Sequence, residues 1–246
     1  MTTNYAKILE DAADLWHCLP QVIPDSIADI PENLRLFDDG KISVVYAPFS
    51  HINHSAKLAI VGITPGWYQT RIGFEFVANN QHLAKEVAEQ EIKNRAAFAG
   101  IMRTNLVEML DSLRLNKFLE ISTTDDLFGL RFDLLHSTSA LRHSVFKKGL
   151  NYSGHGPNPL DHPFLRFMVE NILAPELASV PDALVIPLGK AAEGMLEHLS
   201  KQQLLPPERL LWGFPHPSGA NGHRKRAFEL MKQSMENQIN HWFKAT

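Results

Sequence analysis

The sequence predicts an α/β protein, a three-layer α/β/α sandwich around a central, mainly parallel four-stranded sheet. Four short apolar runs indicate this class, because each has the length of a buried strand. They lie at residues 58–61, 132–135, 183–188 and 210–214. Helical segments separate them, and strands that alternate with helices favour a parallel sheet covered on both faces.

The helical segments are predicted from the spacing of apolar residues. Between about residues 81 and 119, apolar side chains recur at three- and four-residue steps and form one apolar face. Residues 163–177 and 224–243 show the same spacing, and residues 4–17 predict an amphipathic helix. A further strand is predicted at residues 41–46, because it follows the turn signal Asp38-Asp39-Gly40.

Length and composition indicate a soluble globular protein. The chain has 246 residues, of which 44% are hydrophobic and 21% are charged, and this favours one large domain over two small ones. We expect a single domain over residues 1–246, with an N-terminal extension at 1–56 and a core at 57–246. The net charge of −3 provides no overall attraction to nucleic acid, so such a partner would need local basic patches.

Cysteine content and apolar run length exclude several classes of protein. Cys18 is the single cysteine, which excludes an internal disulfide framework and an all-cysteine metal or iron–sulfur site. The apolar runs are too short to span a bilayer, and no secretory signal is visible. We therefore expect a cytoplasmic protein without a membrane partner. Its basic patches are residues 142–148 and 223–226.

Two turns at strand ends carry the most specific functional signal. Gly62-Ile63-Thr64-Pro65-Gly66 follows the run at 58–61, and His216-Pro217-Ser218-Gly219-Ala220-Asn221 follows the last run. Turns rich in glycine and proline cannot continue a strand, so the backbone bends there. Ligands bind at the carboxyl ends of strands in open parallel sheets. The two turns therefore predict an active site.

In this order and at this spacing, the two turns resemble the signature loops of the uracil-DNA glycosylase superfamily, over roughly residues 57–230. They are most similar to the mismatch-specific and single-strand-selective branches, in which the first loop is Gly-x-Asn-Pro-Gly. The resemblance implies a uracil-DNA glycosylase-like fold and hydrolysis of the bond between DNA and uracil or a related damaged base. It implies no cofactor and no metal. The implied partner is single-stranded DNA or a mismatched duplex with a flipped base, bound by a monomer.

The same resemblance implies roles for individual residues. His216 would stabilise the departing base, as the matching histidine does in the family, and Thr64 would position the attacking water. Phe76 would stack on the flipped base. The implied base-binding residues are Gly62, Ile63, Pro65, Gly66, Phe76 and Ser139, and the implied DNA-binding residues are Ser218, Gly219, Asn221 and Arg224.

Two departures from the family pattern affect the expected activity. Thr64 stands where the family usually has Asp or Asn, and a threonine hydroxyl cannot act as a base near neutral pH. We therefore expect slow hydrolysis, or a contribution from another carboxylate such as Glu75 or Asp161. The base-reading Asn after a middle strand is also absent, and His136-Ser137-Thr138-Ser139 stands there instead. Gly66 replaces a tyrosine of the uracil-strict branch and predicts a roomier pocket.

Two alternative functions remain open at this level. The first is a superfamily member that binds a base or nucleotide without cleaving it, which Thr64 and the missing Asn favour and His216 opposes. The second is a metal enzyme, which the pair His51 and His54 suggests. No Asp, Glu or Cys lies near that pair at ligand spacing, so we expect no metal site.

Overall fold

The computed structural model describes residues 4–245. Its strands are β1 (Arg35–Asp38), β2 (Ser43–Val45), β3 (Leu58–Gly62), β4 (Leu135–Ser139), β5 (Ser144–Lys147), β6 (Leu150–Asn151) and β7 (Leu184–Pro187). Its α-helices are α1 (Tyr5–Ala12), α2 (Trp67–Asn79), α3 (Lys85–Ala96), α4 (Ile101–Ser112), α5 (Leu115–Phe118), α6 (Pro163–Met168), α7 (Ala174–Ala178), α8 (Gly189–Lys201) and α9 (Arg224–Ala245). A π-helical turn at Val169–Leu173 joins α6 to α7, and 3₁₀ helices span Ala13–Cys18, Ile27–Asp29, Glu32–Leu34, Thr124–Phe128, Phe132–Leu134 and Pro207–Arg209. Within residues 4–245, no helix is both long enough and apolar enough to cross a membrane.

The central sheet contains three parallel strands in the order β4-β3-β7, so the prediction of four strands is wrong. The predicted strand at 210–214 is reduced to one bridge between Leu210 and Val185. Beyond that bridge, the backbone N–H groups of Trp212 and Gly213 donate to side chains of α9 and α8 rather than to a strand. Gly213 has a φ of +86°, which turns the chain away from the sheet.

The two faces of the central sheet are covered by helices, and the predicted α/β class is confirmed. Side chains of β3 alternate between the two layers. Ala59 and Val61 pack with α6 and α8, whereas Leu58 and Ile60 pack with α4 and α9. Because both faces are buried, the strand is a continuous apolar run without polar alternation.

A second, antiparallel sheet ties the N-terminal segment to the rest of the chain. Its strand order is β1-β2-β5-β6. Val44 of β2 lies opposite Val145 of β5, and both side chains are fully buried. The predicted strand at 41–46 is therefore present as the shorter β2, and it pairs with a strand that follows β4 in the chain.

The strand predicted at 132–135 is offset by three residues. Residues 132–134 form a 3₁₀ turn, and β4 runs from Leu135 to Ser139. Most residues of this strand are polar, so it could not be predicted from apolar run length. Two of them, His136 and Thr138, are buried because both hydrogen-bond to the carboxylate of Glu176. The carboxyl end of β4 lies beside that of β3, with Ser139 opposite Gly62.

Candidate active site

The carboxyl ends of the three parallel strands lie at one edge of the sheet, and both predicted loops are found there. Ala140 donates its backbone N–H to the carbonyl of Gly62 at 2.8 Å, which holds the first loop against the end of β4. Gly189 donates to the carbonyl of Phe214 at 2.9 Å, which holds the loop of His216 against the end of β7. Strand order and these two bonds thus bring the loops together.

Between the loops lies a cavity of about 790 Å³. This volume falls within the range typical of small-molecule sites. The lining includes nine of the predicted site residues, which are Gly62, Ile63, Thr64, Pro65, Gly66, Ser139, His216, Ser218 and Asn221. Among the residues that the structure describes, Phe76, Gly219 and Arg224 do not line it.

His216 has a neutral side chain with one assigned donor. Burial lowers the pKa of His216 below its ordinary value of 6.5. The ring Nδ1 accepts a hydrogen bond from the backbone N–H of Ser218 at 3.2 Å. The proton of the neutral ring is therefore assigned to Nε2. His216 lines the cavity and can donate a hydrogen bond without carrying a charge.

Gly189 fixes the position of His216 and was not recognised from the sequence. Its φ is +81°, and a Cβ at this position would lie 2.7 Å from the Cβ of His216. A glycine meets both requirements, because it adopts positive φ without strain and has no Cβ. The close approach of α8 to the His216 loop depends on this residue.

Two side chains, Asn105 and Arg224, hold the His216 loop in place by hydrogen bonds. Asn105 of α4 is buried and donates to the carbonyl of Pro217 at 2.8 Å. The Arg224 guanidinium donates to the carbonyls of Pro217 and Ser218, and also to Asn105 Oδ1 at 3.0 Å. Arg224 thus holds the loop with part of its guanidinium group, and its contact with DNA stays a prediction. Asn105 carried no signal in the sequence.

The remaining predicted DNA-binding residues form the outer part of this loop. Asn221 donates to the carbonyl of His216 at 3.1 Å, and Ser218 Oγ accepts from the backbone N–H of Ala220 at 3.1 Å. Gly219 is exposed, and its Cα faces Ile101 of α4. The loop is thus a preformed turn with an exposed tip.

Thr64 has a structural role that the sequence did not reveal. Its hydroxyl donates to the carbonyl of His143 at 2.9 Å and accepts from the backbone N–H of Val145 at 3.0 Å. The one hydroxyl proton is already used, so Thr64 cannot donate to a water. Thr64 therefore connects the first loop to β5, while its oxygen keeps one lone pair that could accept a hydrogen bond from a water in the cavity; its role in positioning water stays a prediction.

Replacing Thr64 by valine is expected to lower the free energy of unfolding by about 1–3 kcal/mol, because two backbone groups lose their partner. Urea denaturation of the variant and the wild type measures this. Thr64→Ser keeps the hydroxyl and is the matched control, expected to lose less. A Thr64→Val variant as stable as wild type would contradict the structural role.

Phe76 lies outside the cavity, and the prediction that it stacks on a base is corrected. Its ring is 8% exposed and packs with Ala88 and Ile92 of α3. The Arg95 guanidinium lies over it, 4.9 Å from the ring centroid. The α2 helix turns this residue away from the first loop.

Two other phenylalanines line the cavity. Phe49 and Phe98 both contribute to its wall. Phe98 has a φ of +53°, a left-handed conformation that is unfavourable for a bulky residue and is found preferentially at functional sites. A Cβ at Gly62 would lie 3.4 Å from its ring, so the absence of a side chain at Gly62 accommodates Phe98.

A buried charged cluster lies beside the cavity and was missed in the sequence. The Glu176 carboxylate is the centre of this cluster. It accepts hydrogen bonds from His136 Nε2 at 3.0 Å, from Thr138 Oγ1 at 2.7 Å and from Arg142 Nη2 at 2.6 Å. Lys93 Nζ lies 3.6 Å from Glu176 Oε1. Of these five residues, Lys93, Thr138 and Arg142 line the cavity.

The charge states of this cluster follow from burial and from mutual attraction. Burial raises the pKa of Glu176, but the positive charges of Arg142 and Lys93 outweigh this effect and hold it well below its usual range. Burial lowers the pKa of Lys93 to about 8 and also lowers that of His136. At neutral pH the carboxylate is ionised, the lysine is protonated and the histidine is neutral.

The basic patch predicted at residues 142–148 is smaller than expected. Arg142 is paired with Glu176. His143 is buried, and burial lowers its pKa to about 3, so it carries no charge at neutral pH. Lys147 and Lys148 remain. In the second patch, Lys225 and Arg226 are exposed at the start of α9.

The alternative carboxylates do not lie in the cavity. Glu75 is paired with Arg71 at 2.9 Å, and Asp161 is exposed on a turn. Neither is among the described residues that line the cavity.

The histidine pair considered as a metal site does not form one in the part of the chain that is described, where no group of three or more suitable ligands is found. His51 is half-buried, and burial lowers its pKa to about 4. The ring Nδ1 of His54 lies 3.1 Å from the carbonyl of Ser179.

Three comparisons report which known proteins this chain is similar to. Residues 49–244 match the family described as "Uracil DNA glycosylase superfamily". A protein of Bacillus subtilis (strain 168), named "Uncharacterized protein YoxB", is 37% identical over 235 residues, which cover 94% of this chain and 91% of that protein. The structural alignment with the crystal structure of wild-type Pedobacter heparinus SMUG2 covers 98% of this chain and 100% of that chain. The sequence identity is 11% and the TM-score is 0.47.

The fold and the paired loops define an α/β protein with a candidate base-binding cavity at the carboxyl edge of its parallel sheet. The chain belongs to the uracil-DNA glycosylase superfamily, since the family match covers well over half of its length. The resemblance recognised in the two loops is thereby confirmed at the level of the superfamily.

Proposed function

We propose that this protein is a DNA glycosylase that hydrolyses the N-glycosidic bond of uracil or a related damaged base in DNA. The observation that carries the proposal is the cavity of about 790 Å³ between the Gly62–Gly66 loop and His216. Superfamily membership supports the reaction class. As in the mismatch-specific and single-strand-selective branches, the first loop ends in Pro65-Gly66.

In the proposed reaction, the bond between the sugar C1′ and the base nitrogen breaks. Its electron pair leaves with the base, a water oxygen then bonds to C1′, and the proton that this water loses is taken up by the base anion through solvent. His216 donates its Nε2–H to a carbonyl oxygen of the departing base. A preorganised donor of this kind contributes about 3–4 kcal/mol in a site that excludes water. A neutral histidine serves this purpose because the donor is present throughout the reaction.

The residues lining the cavity favour a dissociative reaction. Among the described residues, none that lines the cavity has a carboxylate side chain. The cavity wall therefore provides no carboxylate general base to deprotonate the attacking water. An oxocarbenium-like sugar cation reacts with a weak nucleophile, and water does not then need full deprotonation. We infer that bond cleavage precedes attack by water and that hydrolysis is slow.

Aromatic and loop residues are proposed to hold the extruded base. Phe98 and Phe49 replace Phe76 as the stacking candidates, and stacking on a base is worth about 1–3 kcal/mol. Base extrusion costs a few kcal/mol. The exposed tip of the His216 loop at Gly219 is proposed to press into the DNA and offset that cost.

We propose DNA as the partner, single-stranded or as a mismatched duplex, bound by a monomer of one domain in the cytoplasm. Phosphate contacts would come from the loop residues Ser218, Gly219 and Asn221 and from the exposed Lys225 and Arg226. Because the chain carries a net charge of −3, these local groups must supply the attraction. Binding should therefore weaken as salt concentration rises.

The test is release of the free base from oligonucleotides that contain one uracil, in single strands and opposite each normal base. Release above an enzyme-free control, with alkali-sensitive abasic product in equal amount, is the expected result. No release from any of these substrates would overturn the proposal.

The alternative function is base or nucleotide binding without cleavage. The threonine at position 64 favours it, because a hydroxyl already bonded to His143 and Val145 cannot act as a base toward water near neutral pH. Measurable binding of a uracil-containing strand, together with no base release over a day, would support this alternative.

A further inference from the structure

Lys93 has an unexplained feature. Its ammonium nitrogen is buried and has no hydrogen-bond partner among the residues that the structure describes. The residue is 5% exposed, yet it lines the candidate active-site cavity. A buried ammonium group without acceptors is costly. Lys93 also lines a second, water-sized pocket of about 20 Å³ with His51, Asn53 and His136. Its acceptor therefore comes either from that pocket or from a ligand in the larger cavity.

Saturation of Glu176 explains why Lys93 remains without a hydrogen bond. Oε1 of Glu176 lies 3.6 Å from Lys93 Nζ and already accepts from His136 and Thr138. Oε2 accepts both donated bonds of Arg142. The lysine charge is thus balanced by a nearby carboxylate, but its N–H groups are not satisfied.

The cavity wall at this position is positive although the cluster behind it is nearly neutral. Lys93 and Arg142 line the cavity, whereas Glu176 does not. A second carboxylate, Glu89, lies one turn earlier on α3 and accepts a hydrogen bond from Ser50. It also does not line the cavity. Both basic residues thus contribute to the cavity wall, and both carboxylates lie behind it.

We propose that Lys93 reads the flipped base by donating a hydrogen bond to its O4 carbonyl oxygen. This inference rests on the proposed function. In it, Lys93 of α3 supplies the recognition that an asparagine after the middle strand would supply, and that asparagine is absent from His136-Ser137-Thr138-Ser139.

The chemistry of the donor defines the class of base. An ammonium group offers only donors, so it favours a base edge with carbonyl oxygens, such as that of uracil. Cytosine has an amino group where uracil has O4, so the ammonium group and that amino group would both lack an acceptor there. The O2 carbonyl is common to both bases and would not distinguish them. The same positive charge stabilises the negative charge that develops on a departing base.

The pH range of this effect follows from the surroundings of Lys93. Burial lowers its pKa to about 8, Glu176 and Glu89 oppose that decrease, and Arg142 adds to it. His136 and His51 also face it, but burial lowers the pKa of each, so they stay neutral in this range. Lys93 is therefore charged below pH 8 and loses its charge as the pH rises above it.

The test measures binding to a single strand with one 2′-fluoro-2′-deoxyuridine, in which fluorine slows cleavage. A matched strand contains 2′-fluoro-2′-deoxycytidine. Titrations at pH 6.5 and pH 9.5 use the wild type, Lys93→Met, Lys93→Arg and, as a control on the same helix, Lys85→Met. Circular dichroism spectra and thermal midpoints establish that each variant is folded.

At pH 6.5 we expect the wild type and Lys85→Met to prefer the uracil strand by about tenfold or more, as for a hydrogen bond to a charged group. The preference should shrink at pH 9.5. Lys93→Met should lose it at both pH values. Lys93→Arg should keep it at pH 9.5, because a guanidinium stays charged there.

An unchanged preference in folded Lys93→Met would overturn the inference, even if the wild type releases uracil. A Lys93-dependent preference without uracil release would support the inference and contradict the proposed function. Failure of the wild type to prefer the uracil strand would overturn the inference, whereas the proposed function is decided separately by base release.

Discussion

Replacing His216 by alanine is expected to slow base release by about a hundredfold or more, the loss seen when one preorganised donor to a developing anion is removed. The ring Nδ1 is held by the N–H of Ser218, so Nε2–H is the donor that the variant lacks. Single-turnover release of uracil, with protein in excess, measures the bond-breaking step without interference from product release. Wild type and variant are compared at the same pH and salt concentration.

The matched control is His223→Ala, which removes an exposed histidine at the far end of the same loop. It should release base at the rate of the wild type. The His216→Ala variant should remain folded, since the Ser218 N–H can bond to water at this half-buried position. A rate within twofold of wild type would contradict the role assigned to His216.

Replacing Glu176 by glutamine is expected to lower the free energy of unfolding by about 3–5 kcal/mol, the usual cost of breaking a buried ion pair on one side. Glu176 is 2% exposed, and its removal leaves Arg142 without its paired carboxylate and Lys93 with Glu89 alone. Urea denaturation at pH 7 measures the change. Glu170→Gln is the control, because its carboxylate is partly exposed and pairs with His198. That variant should lose less than about 1 kcal/mol.

The pH dependence of this difference has a defined sign. The pKa of Glu176 is lowered in the folded protein from its ordinary value of 4.5. A carboxyl group of this kind contributes stability above its unfolded pKa and loses that contribution as the pH falls toward its folded pKa. The gap between wild type and Glu176→Gln should therefore shrink as the pH falls below about 4.5. A constant gap down to pH 3, or equal stability for Glu176→Gln and Glu170→Gln, would contradict this assignment.

Local sequence patterns identified the two loops because their chemistry is contained in a few consecutive residues. A turn such as Gly62-Ile63-Thr64-Pro65-Gly66 ends a strand of a parallel sheet. His216 begins a turn of the same glycine- and proline-rich type. The α/β class followed from apolar run length and helical spacing. The prediction of a fourth strand was wrong because side chains of α8 and α9 accept from the N–H groups of Gly213 and Trp212. Hydrogen-bond partners that are distant in the chain cannot be recognised from a local sequence pattern.

The choice among similar side chains could not be made from local patterns. Phe76 and Phe98 are both buried phenylalanines near helical segments, but only Phe98 lines the cavity. The rotation of α2 and the positive φ of Phe98 decide between them. In the same way, the hydroxyl of Thr64 is committed to β5, a strand far from it in the sequence.

The sequence by itself determined the α/β class, the superfamily and the two loops that carry the candidate site, because each is encoded by neighbouring residues with strong backbone preferences. The tertiary structure alone decided which side chains are available in that site. It committed Thr64 and Arg224 to the scaffold and placed the unpartnered Lys93 beside Glu176 at the cavity wall. Burial and hydrogen-bond saturation depend on segments that are distant in the chain, and these two properties decide which polar groups remain free to act on a substrate.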